Sequence, residues 1–327
     1  MELIDFNHNL LHGTLPSTFS SLSTLLYLDL GHNRLSGGLP SVLSALTQLQ
    51  TLRLNANKFT GPITTVFMHM QALEVLSLSN NRLSGSIPSY IGSLTSLQDL
   101  EMYLSGLHGH IPHSLSDLIH LETLNLEYNR LSGTIPASFA NLKALKFFDI
   151  GYNLINGTIP TFWSSLPNLN ELWLLDNQFS GTVPPELGDI TNIQTLRIES
   201  NLLHGTVPDS LGRLTQLENV VLFRNYISGS VPPAFSNIST LQYIDMGDNV
   251  FHGTIPESIT RLPLLQYLFL DSNQLTGTIP YSVGEMTLMR ELIMYNNMLS
   301  GRIPKSIANL TEIELFLVSH NLLTGPL

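Results

Sequence analysis

The sequence has no cysteine, which excludes disulfides, thiolate metal sites and cysteine nucleophiles but leaves the compartment open. Charge is also scarce. Asp, Glu, Lys and Arg make up 12% of 327 residues, so the surface must rest on Ser, Thr, Asn, Gln and His. Basic residues are the scarcer sign, 14 against 25 acidic ones, for a net charge of −11. A nucleic-acid partner needs a clustered basic face and is excluded on this balance. No stretch approaches 18 apolar residues, so the chain carries no membrane-spanning segment. Met1-Glu2-Leu3-Ile4-Asp5 shows neither a basic n-region nor an apolar h-region, so no signal peptide is seen.

What the sequence has in abundance is one frame. Leu121–Pro136 reads LETLNLEYNRLSGTIP, and its pattern returns every 24 residues. An Asn recurs from Asn9 to Asn321, broken only at Ser105, and a Gly stands four residues after each position, from Gly13 to Gly325. A fixed period overrides the two-domain prior that length alone would give. The expectation is one body, residues 1–327, of about fourteen 24-residue repeats, with the first and last incomplete and uncapped. Leu124 and Leu126, or Leu172 and Leu174, alternate with other residues. Period two over about five residues predicts a short strand with one buried face. Stacked in parallel about 4.8 Å apart, fourteen strands would make a curved sheet roughly 60–65 Å long. The Asn column falls at the turn, where a side-chain amide can both donate and accept; Ser105 keeps a hydroxyl for half that task. Pro follows in most repeats, but Thr64 replaces it in the third, which predicts a distorted turn there. Phe139, Leu142 and Leu145, three apart, suit a 3₁₀ or α turn laid against the sheet.

The frame L-x-x-L-x-L-x-x-N-x-L-S-G-x-I-P resembles the plant-type leucine-rich repeat over essentially the whole chain. The resemblance implies an α/β fold: a right-handed superhelical solenoid with a parallel β-sheet on the concave face and short 3₁₀ or helical turns on the convex side. It also implies a second row of short strands at the S-G-x-I-P segment. Similar proteins are receptor-kinase ectodomains, receptor-like proteins and polygalacturonase inhibitors. Their cysteine-bearing caps are missing here, so the sequence reads as part of a longer chain, at the cell surface or outside it by resemblance.

Function belongs to the positions that vary, at −6, −4, −2 and −1 from the Asn. They supply Tyr103, Glu127, Tyr128, Asp149, Tyr152, Trp173 and Arg197, then Phe223, Arg224, Tyr243, Asp245, Tyr267, Phe269, Asp271 and Tyr295. Aromatics interleaved with carboxylates fit a binding surface for a protein, peptide or glycan, because rings give contact area at low entropic cost. Catalysis is not expected. Glu127 with Asp149, or Asp245 with Asp271, reads as a solvated acidic patch on an open sheet without a pocket to shift a pKa. His108, His110 and His113 share columns with Ser and Thr, so they read as surface histidines and no metal site is assigned; no cofactor is implied. Thr134, Thr158, Thr182, Thr206, Thr254 and Thr278 form a hydroxyl row resembling the faces of ice-binding solenoids, the alternative reading. Asn156, Asn237 and Asn309 stand in N-glycosylation sequons.

Overall fold

The alternating residues ahead of each Asn form a three-residue strand, as in Thr123–Asn125, Phe147–Asp149 and Thr195–Arg197. The computed structural model describes residues 1–326, and Leu327, the last residue of the expected array, lies outside them. Leu124 and Leu126 are fully buried, so the residues at −5 and −3 turn inward and those at −6, −4 and −2 line the open face of the sheet.

The chain divides into two compact units, Met1–Asn156 and Gly157–Leu327. In the first, parallel strands run in chain order from Leu3–Asp5 to Phe147–Asp149. In the second they run from Glu171–Trp173 to Leu315–Leu317. Partners are 24 residues apart, so Leu100 lies beside Leu76 and Leu124. Equivalent positions of successive repeats therefore form rows across each sheet.

The Asn column builds the turn that ends each strand. Asn153 Nδ2 donates to the carbonyls of Ile150 at 3.0 Å and Gly151 at 3.1 Å, and to Leu126 of the preceding repeat at 3.0 Å. Its Oδ1 accepts the Leu131 amide, also of the preceding repeat, at 2.9 Å. One side chain thus closes its own turn and ties two repeats together. Losing it would orphan buried backbone groups at about 1–3 kcal/mol. Ser105 does the donating half, to Leu78 O at 3.0 Å and Tyr103 O at 3.2 Å.

The residue just before the Asn is left-handed in all fourteen repeats, with φ between 47° and 54°. Its occupants include Leu104, Tyr128 and Arg224, which gain nothing from that backbone and carry its strain, about 1–2 kcal/mol each.

A second strand follows and takes in the start of the segment where the resemblance put it. It occupies Arg130–Gly133, Leu154–Thr158 or Gln178–Thr182, starting directly after the Asn and ending before the Ile-Pro pair. The Asn oxygen captures the amide two residues beyond the preceding repeat's Asn position, as at Leu131, which sets the register early. The Pro, with no N–H, serves instead as the entry to the 3₁₀ turn. In the first unit this row is interrupted between Arg82–Ser84 and His108–His110, at the repeat where Ser105 stands for Asn.

The return leg is a 3₁₀ turn, Ala137–Asn141 for example, with Phe139 N to Pro136 O and Leu142 N to Phe139 O both 3.0 Å. Where Thr64 replaces Pro the turn shortens to Thr65–Phe67, the expected distortion. Phe139, Leu142 and Leu145 are fully buried against Leu124, Leu126 and Leu131 of the same frame. At the start of the first unit the matching core positions are open: Phe6 is 42% and Leu11 40% exposed. Among the described residues, no helix is long and apolar enough to cross a membrane.

Candidate functional site

The open face of each unit carries the varying residues, and the structure sorts them. In the first unit Tyr128 and Tyr152 occupy the left-handed position of adjacent repeats. That shared backbone aims both rings along the strand-end edge, where they stack with centroids 4.0 Å apart and planes 7° from parallel. Tyr128 is 43% exposed, so the stack presents an aromatic surface to solvent. His8 and His32 stack in the same position, 4.1 Å apart. Tyr103 is half-buried beside Glu101 and Glu127, and its hydroxyl pKa is raised by burial and by those two carboxylates. Asp99, on the same face, is pushed up to about 6 by burial and by Glu101, with Arg53 opposing.

The acidic residues depart from the solvated patch expected of them. Asp149 is 1% exposed, and its Oδ1 accepts the Gly151 amide at 2.8 Å, so it serves its own turn. Asp271 is 8% exposed. Asp245 is pushed up to about 7, chiefly by burial and further by the charges of Asp271 and Glu199, while the Gly247 amide and Arg197 oppose the shift. Side chains of neighbouring repeats crowd a strand only about 4.8 Å away, and that crowding supplies desolvation without an enclosed pocket.

In the second unit Trp173 and Arg197 are adjacent in one row, with the guanidinium carbon 5.0 Å from the ring centroid. The same guanidinium grips Glu199, Nε to Oε1 at 2.9 Å. Glu199 stands with Arg197 among the outward-facing positions of its repeat but outside the candidate site residues; it is 5% exposed and the most enclosed acid of this face. The signal was available in Arg197-x-Glu199, two residues on one side of one strand. Further along, Tyr243, Tyr267 and Phe269 form an edge-to-face cluster with centroids 5.3–6.4 Å apart. Phe223 is half-buried between Glu199 and Gly247 in the adjoining row, and the Tyr295 hydroxyl pKa is raised chiefly by the nearby Asp271. Arg224 is exposed, at the edge of a cleft of about 420 Å³ lined also by Asp176, Ser200, Tyr226 and Asp248.

The side row of hydroxyls is regular. Thr158, Thr182, Thr206, Thr254 and Thr278 are exposed, as is Thr134. In-strand Thr residues pair with the next repeat, Thr182 with His204, Thr206 with Ser228 and Thr254 with Thr276. His110 interrupts the row in the first unit, and no group of three His, Asp or Glu able to hold a metal occurs among the described residues. Asn156, Asn237 and Asn309 are all exposed, the first on a second-row strand and the others at the ends of 3₁₀ turns.

A family model described as leucine rich repeat matches residues 1–59, 47–106, 103–155, 119–179 and 215–275, and another of that description matches 289–310. Among curated proteins no match was found. Among solved structures, the plant peptide hormone receptor RGFR1 in complex with RGF2 is 30% identical, with a TM-score of 0.91 over 98% of this chain and 56% of that one. The ectodomain of the Arabidopsis thaliana membrane receptor kinase GASSHO1/SCHENGEN3, in complex with CASPARIAN STRIP INTEGRITY FACTOR 2, is 31% identical, with a TM-score of 0.70 over 98% and 44%. The chain therefore spans about half the length of these receptor chains. A plant ice-binding protein is 28% identical, with a TM-score of 0.65 over 76% of this chain and 79% of that one.

Proposed function

The chain belongs to the leucine-rich-repeat family, and from that premise we propose that it is a non-catalytic recognition scaffold that binds a peptide on the open face of its main strands. The observation that carries the reading is the Tyr128–Tyr152 stack, an exposed aromatic surface at positions the frame leaves free. Rings held by their neighbours lose little entropy on contact. The half-buried Trp173, pinned under Arg197, supplies a second anchor in the other unit. The likeness to a plant peptide hormone receptor supports this class of ligand over glycan. The site residues act through surface complementarity on rigid strands, with little movement on binding. An extracellular or cell-surface location goes with the receptor likeness, as does a single solenoid of about fourteen repeats.

The test is a peptide selected from a synthetic library on the whole chain. Tyr128→Ala with Tyr152→Ala, or Trp173→Ala alone, should weaken its binding at least tenfold while circular dichroism and the melting midpoint stay near wild type. Unchanged affinity in both variants sinks the reading.

The exposed threonine rows give the second reading, ice binding, a specific footing, and the ice-binding neighbour matches over most of its own length. Thermal hysteresis and ice recrystallisation assays on the whole chain decide it: activity lost on Thr182→Val with Thr206→Val supports it, and none in wild type removes it.

A further inference from the structure

On the open face of the second unit, one row holds Arg197, Val221, Asp245 and Phe269 in register, and the next holds Glu199, Phe223, Gly247 and Asp271. Val221 and Gly247 are the small members. Over Val221 the flanking Arg197 and Asp245 stand about 9–10 Å apart, twice the strand spacing. Gly247 leaves its space to two acids. A Cβ there would lie 2.8 Å from Asp271 Oδ1 and 3.4 Å from Asp245 Oδ1, so both carboxylates converge on that point.

Glu199 completes the set from the other side. Its Oε1 is engaged by Arg197, but its Oε2 is buried and has no hydrogen-bond partner. A buried carboxylate oxygen without a donor is costly, and its charge is felt at Asp245 and Tyr243. Three carboxylates thus surround these low points against one guanidinium. Tyr243, Phe223 and Phe269 wall them with ring faces and edges. The same surface already holds one cation in this manner, Arg197 between the Trp173 ring and Glu199.

We propose that the low ground over Val221 and Gly247, bounded by Glu199, Asp245 and Asp271, is a subsite for the cationic side chain of an arginine or lysine in a bound peptide. This deepens the peptide-recognition reading and rests on it. The guanidinium or ammonium donates to the free Glu199 oxygen and to the converging aspartates, and its alkyl stem lies against Val221 and the rings. Ring faces add attraction for the charge.

A displayed library of random octapeptides, sorted against the whole chain, tests it. Arg and Lys should be enriched at one position at least tenfold over Gln and Glu. That preference should fall to within twofold for Asp245→Asn with Asp271→Asn, and for Glu199→Gln. Val221→Phe, which fills the space and leaves every acid in place, should also abolish it and guards against a folding effect of the acid variants. Octapeptides enriched without a basic position, or a basic preference that survives all three variants, overturn the subsite while peptide recognition stands. No enrichment of any octapeptide overturns both.

Discussion

Asp245 shows how far one carboxylate on this face answers to its neighbours. Burial, then Asp271 and Glu199, push it up to about 7, against the Gly247 amide and Arg197. Tyr243 stands beside it, itself raised by burial and by Asp245. The folded chain therefore holds a proton on Asp245 more tightly than the unfolded chain, where a carboxylate titrates near 4. The stability tied to that proton is fully present below about pH 4 and is lost as pH rises through about 7. Asp245→Asn should leave stability near wild type at pH 4 and raise it by about 2 kcal/mol at pH 8, allowing for partial solvent contact. Urea unfolding at pH 4, 6 and 8 reads this directly, and equal pH slopes in the two proteins would refute it. The same titration bears on the cationic subsite, whose affinity should strengthen as pH rises through 7. None of this was legible in the sequence. The alternation of Ile244 and Met246 shows which way Asp245 points. Its desolvation depends on how side chains of adjacent strands fill the face, and the charges that add to it sit on Glu199 and Asp271, 46 and 26 residues away. The Asn ladder is the opposite case. Its contacts reach only its own turn and the preceding repeat, so spacing alone implied its role and the partial substitute at Ser105. The left-handed residue before each Asn escaped notice because Leu104, Tyr128 and Arg224 carry no composition signal for it; the Asn bonds on either side impose it.

Between elements, the second-row strands meet through a contact of one methyl with one missing side chain. Gly205 has φ +78°, and a Cβ there would lie 2.8 Å from Thr182 Cγ2. Gly61 has the same φ of +78° but nothing within 4 Å of its Cβ position. The pair separates backbone strain from packing. Gly61→Ala should cost about 1–2 kcal/mol from the left-handed backbone alone. Gly205→Ala should cost about 3 kcal/mol, because overpacking adds to the strain. Thr182→Ser removes the offending methyl, leaving Thr182 Cβ as the next neighbour at 3.6 Å. In that background Gly205→Ala should cost no more than Gly61→Ala. A double-mutant cycle by chemical denaturation measures the coupling, and additive costs would show that the methyl contact is not the cause. A short helical turn was legible in the three-residue spacing of Phe139, Leu142 and Leu145, and the structure makes it 3₁₀. The second strand was legible at its S-G positions, whereas its earlier start is set by the amide captured by the Asn oxygen.

Over a whole unit, every main strand pairs only with its immediate neighbours, and most 3₁₀ turns pack on the next. Stability in such an array is close to a sum of repeat and nearest-neighbour terms. A core lesion should therefore act locally. Leu100 is fully buried in Asp99–Glu101, between the strands Val75–Ser77 and Thr123–Asn125. Leu100→Ala should cost about 2–5 kcal/mol. Hydrogen exchange should quicken in those three strands, where the cavity loosens both interfaces, and the effect should fade along the row. The strand Leu3–Asp5 lies four repeats away in the same unit and shares no contact with the lesion, so its amides should exchange at the wild-type rate. This repeat is also where Ser105 stands for Asn and the second row is interrupted, which leaves fewer bonds to carry the disturbance onward. Equal loss of protection at Leu3–Asp5 would mean that the unit opens as one cooperative core, and the nearest-neighbour account of its stability would fail.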